Sequence, residues 1–166
     1  MRILLYVATM LATHYVGSFL QASLHALLGH RQAGGRLYWN HMLNHHANYT
    51  RNMVSDAYLD EDASNTPFYV VPSVATAAAA FALLPWDFAA VLTVSLAAHF
   101  AAQVYLHNHY HLKRTWLHRF AWFRRRQQLH FEHHRDVGAN FSIVEPAWDR
   151  LFGTYREPNP VASSEV

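Results

Sequence analysis

Three apolar runs divide the chain: Ile3 to Leu28, Phe68 to Leu84, and Phe88 to Leu106. Each is long enough to cross a hydrocarbon core of roughly 30 Å at about 1.5 Å per residue, the second at the short end and containing Pro72. Between Pro67 and His111 the only charge is Asp87, beside Pro85 and Trp86, which predicts a tight turn at a membrane interface. A soluble helical bundle is the alternative that this near absence of charge opposes. Polar residues inside the runs recur at helical spacing. They are His14, Ser18, Gln21 and His25 in the first, and Ser95, His99, Gln103, His107 and His111 in and just beyond the third. Polar groups in a bilayer are costly and face the bundle interior. The two stripes therefore predict either a path from the bilayer to the polar side or simple interhelical hydrogen bonding.

Outside the runs, Gly34-Gly35 predicts a break, and Asp60 to Pro67 an acidic turn leading into the second run. Residues Lys113 to His134 alternate aromatic and basic side chains, as in a helix lying among lipid headgroups. The residues from Pro158 to Val166 read as a disordered tail, leaving 1–157 as a single membrane-embedded domain. The predicted fold class is all-α: an integral membrane helical bundle of about three transmembrane helices with a cytoplasmic helical cap.

Charge sets the expected orientation. Of the 13 Lys and Arg residues only Arg2 lies away from the segments between and after the apolar runs. The positive-inside rule puts those segments in the cytoplasm, and a bacterial inner membrane is the expected location. A cleaved signal peptide over residues 1–26 would place Arg31 and Arg36 outside, against that bias. A sequence pI near 9 is accounted for by topology, so no nucleic-acid partner is expected. With no cysteine there is neither a disulfide framework nor a thiolate ligand.

Histidine changes the picture most. Ten of the 14 fall into four sets: His25 and His30; His41, His45 and His46; His107 and His111; His130, His133 and His134. Neutral imidazole binds Fe, Zn, Cu or Ni. Residues three or four apart share a helix face, so each set is expected to aim two rings at one point. Ten ligands exceed the needs of one ion and suit two six-coordinate ions, each with an open position. The sets hold no Asp or Glu at ligand spacing. Glu132, Asp136, Asp56 and Asp149 are instead candidates to accept the outward ring N–H groups. A metal-transport or metal-storage membrane protein remains an alternative, although transporters place ligands near mid-span.

The ordered H-x4-H, H-x3-HH, H-x3-H and H-x2-HH sets resemble the fatty acid hydroxylase superfamily, also called the sterol desaturase family, of membrane di-iron enzymes. The segment Asn140-Phe141-Ser142-Ile143 through Trp148-Asp149-Arg150-Leu151-Phe152-Gly153-Thr154 is similar to that family's C-terminal signature. The resemblance implies that the ten histidines hold two Fe ions, with Zn a possible substitute in expressed protein, and that O2 is co-substrate. It implies hydroxylation or desaturation of a lipid such as a fatty acyl chain, sterol or carotenoid. His109 and His118 match no ligand position. The related three-box acyl-lipid desaturases are a second possibility, against which His107/His111 and the C-terminal segment speak. Electrons are expected from an external ferredoxin or b-type cytochrome with its reductase. Lys113, Arg114, Arg119 and Arg124-Arg125-Arg126 could dock such a donor, or anchor the chain to anionic lipid.

Overall fold

A computed structural model describes residues 1–50, 53–59 and 66–158, the side chains of 66–68 excepted. Helix α1 (Arg2–Leu24) runs into a π-helical turn at His25–Gly29, followed by a 3-10 turn at Gln32–Gly34. Then α2 (Arg36–Tyr38), a π-helical stretch at Trp39–His45 and α3 (His46–Asn48) form one continuous, irregular helix. Two long helices follow, α4 (Thr66–Leu83) and α5 (Trp86–Tyr110). A 3-10 turn at Trp116–Arg119, α6 (Ala121–Arg135) and the short α7 (Ala147–Phe152) complete the order. Among the described residues there is no β-strand, only an isolated bridge between Ser55 and Leu112.

The three apolar runs become α1, α4 and α5. Two helical segments, Arg2–Gly29 and Trp86–Tyr110, are long and apolar enough to cross a membrane. The third, α4, has 18 residues and is about 27 Å long, with Pro72 inside it. The hydroxyls of Ser73 and Thr76 donate to the carbonyls of Tyr69 and Pro72 around this proline. The expected tight turn holds α4 to α5: Pro85 precedes α5, and Asp87 lies in its first turn, where the helix dipole favours a carboxylate. Asp87 accepts from the Tyr6 hydroxyl at 2.5 Å and pairs with Arg2 at 3.7 Å, so the one charge in this stretch is matched at the N-terminal end of α1.

The packing is the reverse of a soluble bundle. On α1 the buried side is Thr13, Gly17, Ser18, Gln21 and Ala22, while Ile3, Leu4, Val7, Leu11 and Val16 are exposed. On α5 His99 and Gln103 are buried and Val94 and Val104 exposed. A water-soluble helix hides its large apolar side chains; helices in lipid pack through small and polar ones. Helix α5 packs against both α1 and α4, and α1 and α4 make little contact with each other.

At the other end, Leu106, Tyr110, Leu117, Phe123 and Ile143 form the apolar core beneath α6. The predicted headgroup-level helix over Lys113 to His134 is in fact two elements. The Thr115 hydroxyl caps the 3-10 turn by accepting from the Leu117 N–H, and Phe120 is extended before α6 begins. Trp148 on α7 donates its indole N–H to the Tyr15 carbonyl and its ring meets Phe19, tying the C-terminal segment to α1. The acidic turn expected at 60–67 and the tail expected at 158–166 lie mostly outside the described residues.

Candidate metal centre

Five residues of an α-helix turn through about 500°, so residues i and i+5 diverge. The sets H-x4-H and H-x3-HH nevertheless place such pairs together, because both lie where the helix widens into i→i+5 turns. His25 and His30 bring their Nε2 atoms to 3.2 Å, and His41 and His46 to 3.1 Å. Gly29 makes the first widening possible: a Cβ there would stand 3.2 Å from the His25 ring and 3.3 Å from the His41 ring.

The histidines sort into two groups. Ring nitrogens of His25, His30, His41, His46 and His133 lie within 4.8 Å of one another, and so do those of His45, His111, His130 and His134. His107 flanks the second group, its ring centroid 4.5 Å from that of His45 and 4.8 Å from that of His130. All ten rings named from the sequence therefore gather in one place. Each set does aim two rings at one group, and in the two sets of three the remaining ring goes to the other group. His41 and His46 join the first group while His45, on the intervening direction, joins the second. His133 joins the first and its set-mates His130 and His134 the second. The groups adjoin where His46 stacks on His134 at 4.2 Å and His41 on His45 at 5.2 Å.

Protonation follows from the outer ring atoms. His25 Nδ1 donates to the Phe141 carbonyl at 2.6 Å, His133 Nδ1 to the Ala139 carbonyl at 2.6 Å and His111 Nδ1 to the Met53 carbonyl at 2.8 Å. A carbonyl only accepts, so these rings carry their proton on Nδ1 and present a bare Nε2 inward. His30 Nε2 stands 3.2 Å from one bare nitrogen and 3.1 Å from the other, yet one nitrogen can direct only one proton. At least one lone pair then faces another, unless a cation sits among them. The spacing agrees. Ligands on adjacent corners of a six-coordinate ion with bonds of about 2.1 Å stand about 3.0 Å apart, against about 3.4 Å on a tetrahedron. The close Nε2 pairs here are 2.7 to 3.2 Å apart.

Burial first, then repulsion from neighbouring rings, holds His41, His45, His130, His133 and His134 well below the ordinary histidine range. The same causes push His30 down to about 2 and His46 to about 3, and burial takes His111 to about 4. These rings are neutral at pH 7, the form a metal requires.

The carboxylates expected around the rings are not their partners. Glu132 pairs with Arg135, Asp136 accepts from the Gly138 N–H, and Asp56 pairs with Lys113. Backbone carbonyls take the proton of His25, His133 and His111 instead, whereas Nδ1 of His30, His130 and His134 is buried with no partner among the described residues, and Asp149 acts one step further out. Only 2% exposed, it accepts from the N–H groups of Phe141 and Ser142 at 2.8 and 3.0 Å and from the Thr154 hydroxyl at 2.8 Å. Gln21 braces the same loop from α1, donating to the Phe141 carbonyl and accepting from the Ile143 N–H. Asn140, with φ of 50°, donates to the Leu129 carbonyl and pairs with the Arg156 backbone through both ends of its amide. The C-terminal signature is thus the strap that orients His25 and His133.

Two tyrosines escaped the sequence reading. Tyr49 is fully buried and stacks on His111 at 3.8 Å, its hydroxyl accepting from the Leu59 N–H. The Tyr58 hydroxyl lies 3.3 Å from His107 Nδ1. The only signal for Tyr49 was its place one turn after His45. His109 pairs with Thr115, outside both groups, and His14 meets His99 within the bundle, Nδ1 to Nδ1 at 3.3 Å.

The fatty acid hydroxylase family matches residues 10–154 of this chain. The match spans most of α1, all of α4 and α5, all ten clustered histidines and the C-terminal strap, and the chain belongs to that family. It is an oxidoreductase family, and with two membrane-length apolar helices the chain is a membrane protein. No curated protein and no solved structure matches the chain.

Proposed function

We propose that this protein is a membrane-bound non-haem di-iron oxygenase that hydroxylates or desaturates a lipid, using O2 and two electrons. One observation carries the reading: nine imidazoles in two adjoining groups of five and four, with His107 flanking the second, and three of the rings with Nε2 bared by a carbonyl behind them. His25, His30, His41, His46 and His133 would hold one ion, and His45, His107, His111, His130 and His134 the other. Ten imidazoles for two ions favour six-coordinate iron, for which zinc would load as a substitute. Bound iron would supply activation of O2 and removal of hydrogen from an unactivated C–H bond.

The chain's own residues do the rest. The carbonyls of Phe141, Ala139 and Met53 hold three rings in one tautomer and orientation. Tyr49 and Phe131 seal the second group from water. The helices bring a lipid to the metal from the bilayer rather than from water. A transport role is disfavoured because the clustered ligands sit at and beyond the span ends, not at mid-span.

The expected electron donor is an external ferredoxin or b-type cytochrome with its reductase, since the residues given hold no cysteine to carry an iron–sulfur cluster. The arginine run is a weaker docking face than its charge suggests. Arg124 donates to the His118 carbonyl, Arg125 binds Tyr155 and Glu157, and Arg126 pairs with Glu145. Arg119 lies over the Trp116 and Phe120 rings, which suits anchoring among headgroups on the cytoplasmic side.

The test is metal content and the Mössbauer spectrum of detergent-purified protein grown with iron-57. A coupled pair of irons per chain supports the reading. A single ion, or no coupled pair after anaerobic ferrous reconstitution, refutes it.

A further inference from the structure

The C-terminal strap orients two rings of the first group, His25 and His133. The second group has a strap of its own in residues 53–59, an irregular stretch whose one regular pairing is the bridge from Ser55 to Leu112. Ser55 donates its N–H to the His111 carbonyl at 2.9 Å and accepts from the Lys113 N–H at 2.9 Å. The Met53 carbonyl takes the Nδ1 proton of His111 at 2.8 Å. Leu59 donates its N–H to the Tyr49 hydroxyl at 2.8 Å, and the Tyr49 ring stacks on His111. These contacts converge on His111 and its neighbours.

Tyr58 reaches the other histidine of α5. Its hydroxyl lies 3.3 Å from His107 Nδ1, and its ring stands 6.2 Å from the His107 ring and 6.3 Å from the His111 ring. Of the ten clustered histidines, His107 is the one that flanks its group instead of lying among the close ring nitrogens. The partner behind it differs in kind from the carbonyls behind His25, His133 and His111. A carbonyl only accepts, so it keeps the ring proton on Nδ1 with or without an ion. A hydroxyl both donates and accepts. While Tyr58 donates, His107 carries its proton on Nε2, and that nitrogen cannot take an ion. Once Tyr58 accepts, the proton sits on Nδ1 and Nε2 is bare, as a metal ligand requires.

Resting on the di-iron reading above, we propose that Tyr58 is a positioning residue of the second site, its hydroxyl accepting the Nδ1 proton of His107 so that a bare Nε2 turns toward His45 and His130. His107 then completes the second set of five. The ring keeps one proton throughout, which passes from Nε2 to Nδ1 by exchange with water, and the phenol proton turns away from the ring. Water reaches the place because Tyr58 is only half-buried. Residues 53–59 thus hold both α5 histidines, His111 through a carbonyl and His107 through a hydroxyl, independently of the strap on the first group.

The test is anaerobic competitive chelator titration of ferrous iron bound to the full chain in detergent. Wild type should hold two irons. Tyr58→Phe keeps the ring and removes the acceptor, and it should weaken one iron about 10- to 100-fold, the usual effect of losing the partner behind a ligating imidazole. The other iron, and the melting midpoint of the ion-free protein, should stay as in wild type. His107→Gln should weaken the same iron, and adding Tyr58→Phe to it should change nothing further, because the tyrosine acts through that ring. Unchanged affinity for both irons in Tyr58→Phe, equal weakening of both, or a further loss in the double variant overturns the proposal. So does a lowered melting midpoint of ion-free Tyr58→Phe, which would mark a merely structural role. Fewer than two irons in wild type sinks the di-iron reading instead, and the role of Tyr58 falls with it.

Discussion

Asp149 touches no histidine, yet its replacement should weaken one metal site and spare the other. Its carboxylate holds the N–H groups of Phe141 and Ser142 and the Thr154 hydroxyl. Asp149→Asn turns one oxygen into an amide that faces donors with donors. Hydrogen bonds to charged groups contribute about 1.5–3 kcal/mol, and a stranded buried N–H costs about 1–3, so a loss of about 2–4 kcal/mol follows. At about 2–4 °C per kcal/mol in a chain of this size, the melting midpoint should fall roughly 5–15 °C. The released loop carries the carbonyls that orient His25 and His133, both in the first group. Losing such outer support lowers metal affinity about 10- to 100-fold. Competitive chelator titration of ferrous protein should therefore show one site weakened and the site of His45, His107, His111, His130 and His134 unchanged. Equal weakening of both sites, or a fall in melting midpoint with neither weakened, would refute the chain of orientation from Asp149 through Phe141 to His25.

Three further outcomes follow from the same geometry. Gly29→Val pushes branched carbons into the His25 and His41 rings, so metal analysis should find the first site depleted, with the second still loaded. In iron-free protein, His30, His46 and His111 titrate near 2, 3 and 4 when folded and near 6.5 when unfolded. The unfolded chain binds more protons below pH 6.5, so stability present above that pH should fall by roughly 1.4 kcal/mol per pH unit per group as pH drops, as seen in melts from pH 7 to 5. Phe123→Ala removes a fully buried ring packed on Tyr110 and should cost about 3–5 kcal/mol, measured by thermal unfolding, with metal stoichiometry retained.

The sequence was most legible where a single residue type carries the signal. Ten histidines in four sets announced the site, and long uncharged runs announced α1 and α5. What the spacing concealed was the helix period. Read at 3.6 residues per turn, His25 and His30 point apart, and only the π-helical turns reunite them. Partners of the rings were equally hidden, since a backbone carbonyl leaves no mark in a sequence and attention falls on Glu132 and Asp136 instead. Tyr49 had only its place one turn after His45 to mark it. The inward polar stripe of α1 and α5 was visible, but not that Gln21 would brace a loop 120 residues away.

The use of carbonyls rather than carboxylates behind the rings has an evolutionary consequence. Any residue at 139, 141 or 53 supplies the same oxygen, so mutation of those side chains leaves the contact to the rings in place. Selection falls instead on whatever fixes the backbone path: Asp149, Asn140 and Gln21. Relatives that drift at the residues adjoining the rings, while keeping those distant three, would be under the same constraint as this chain.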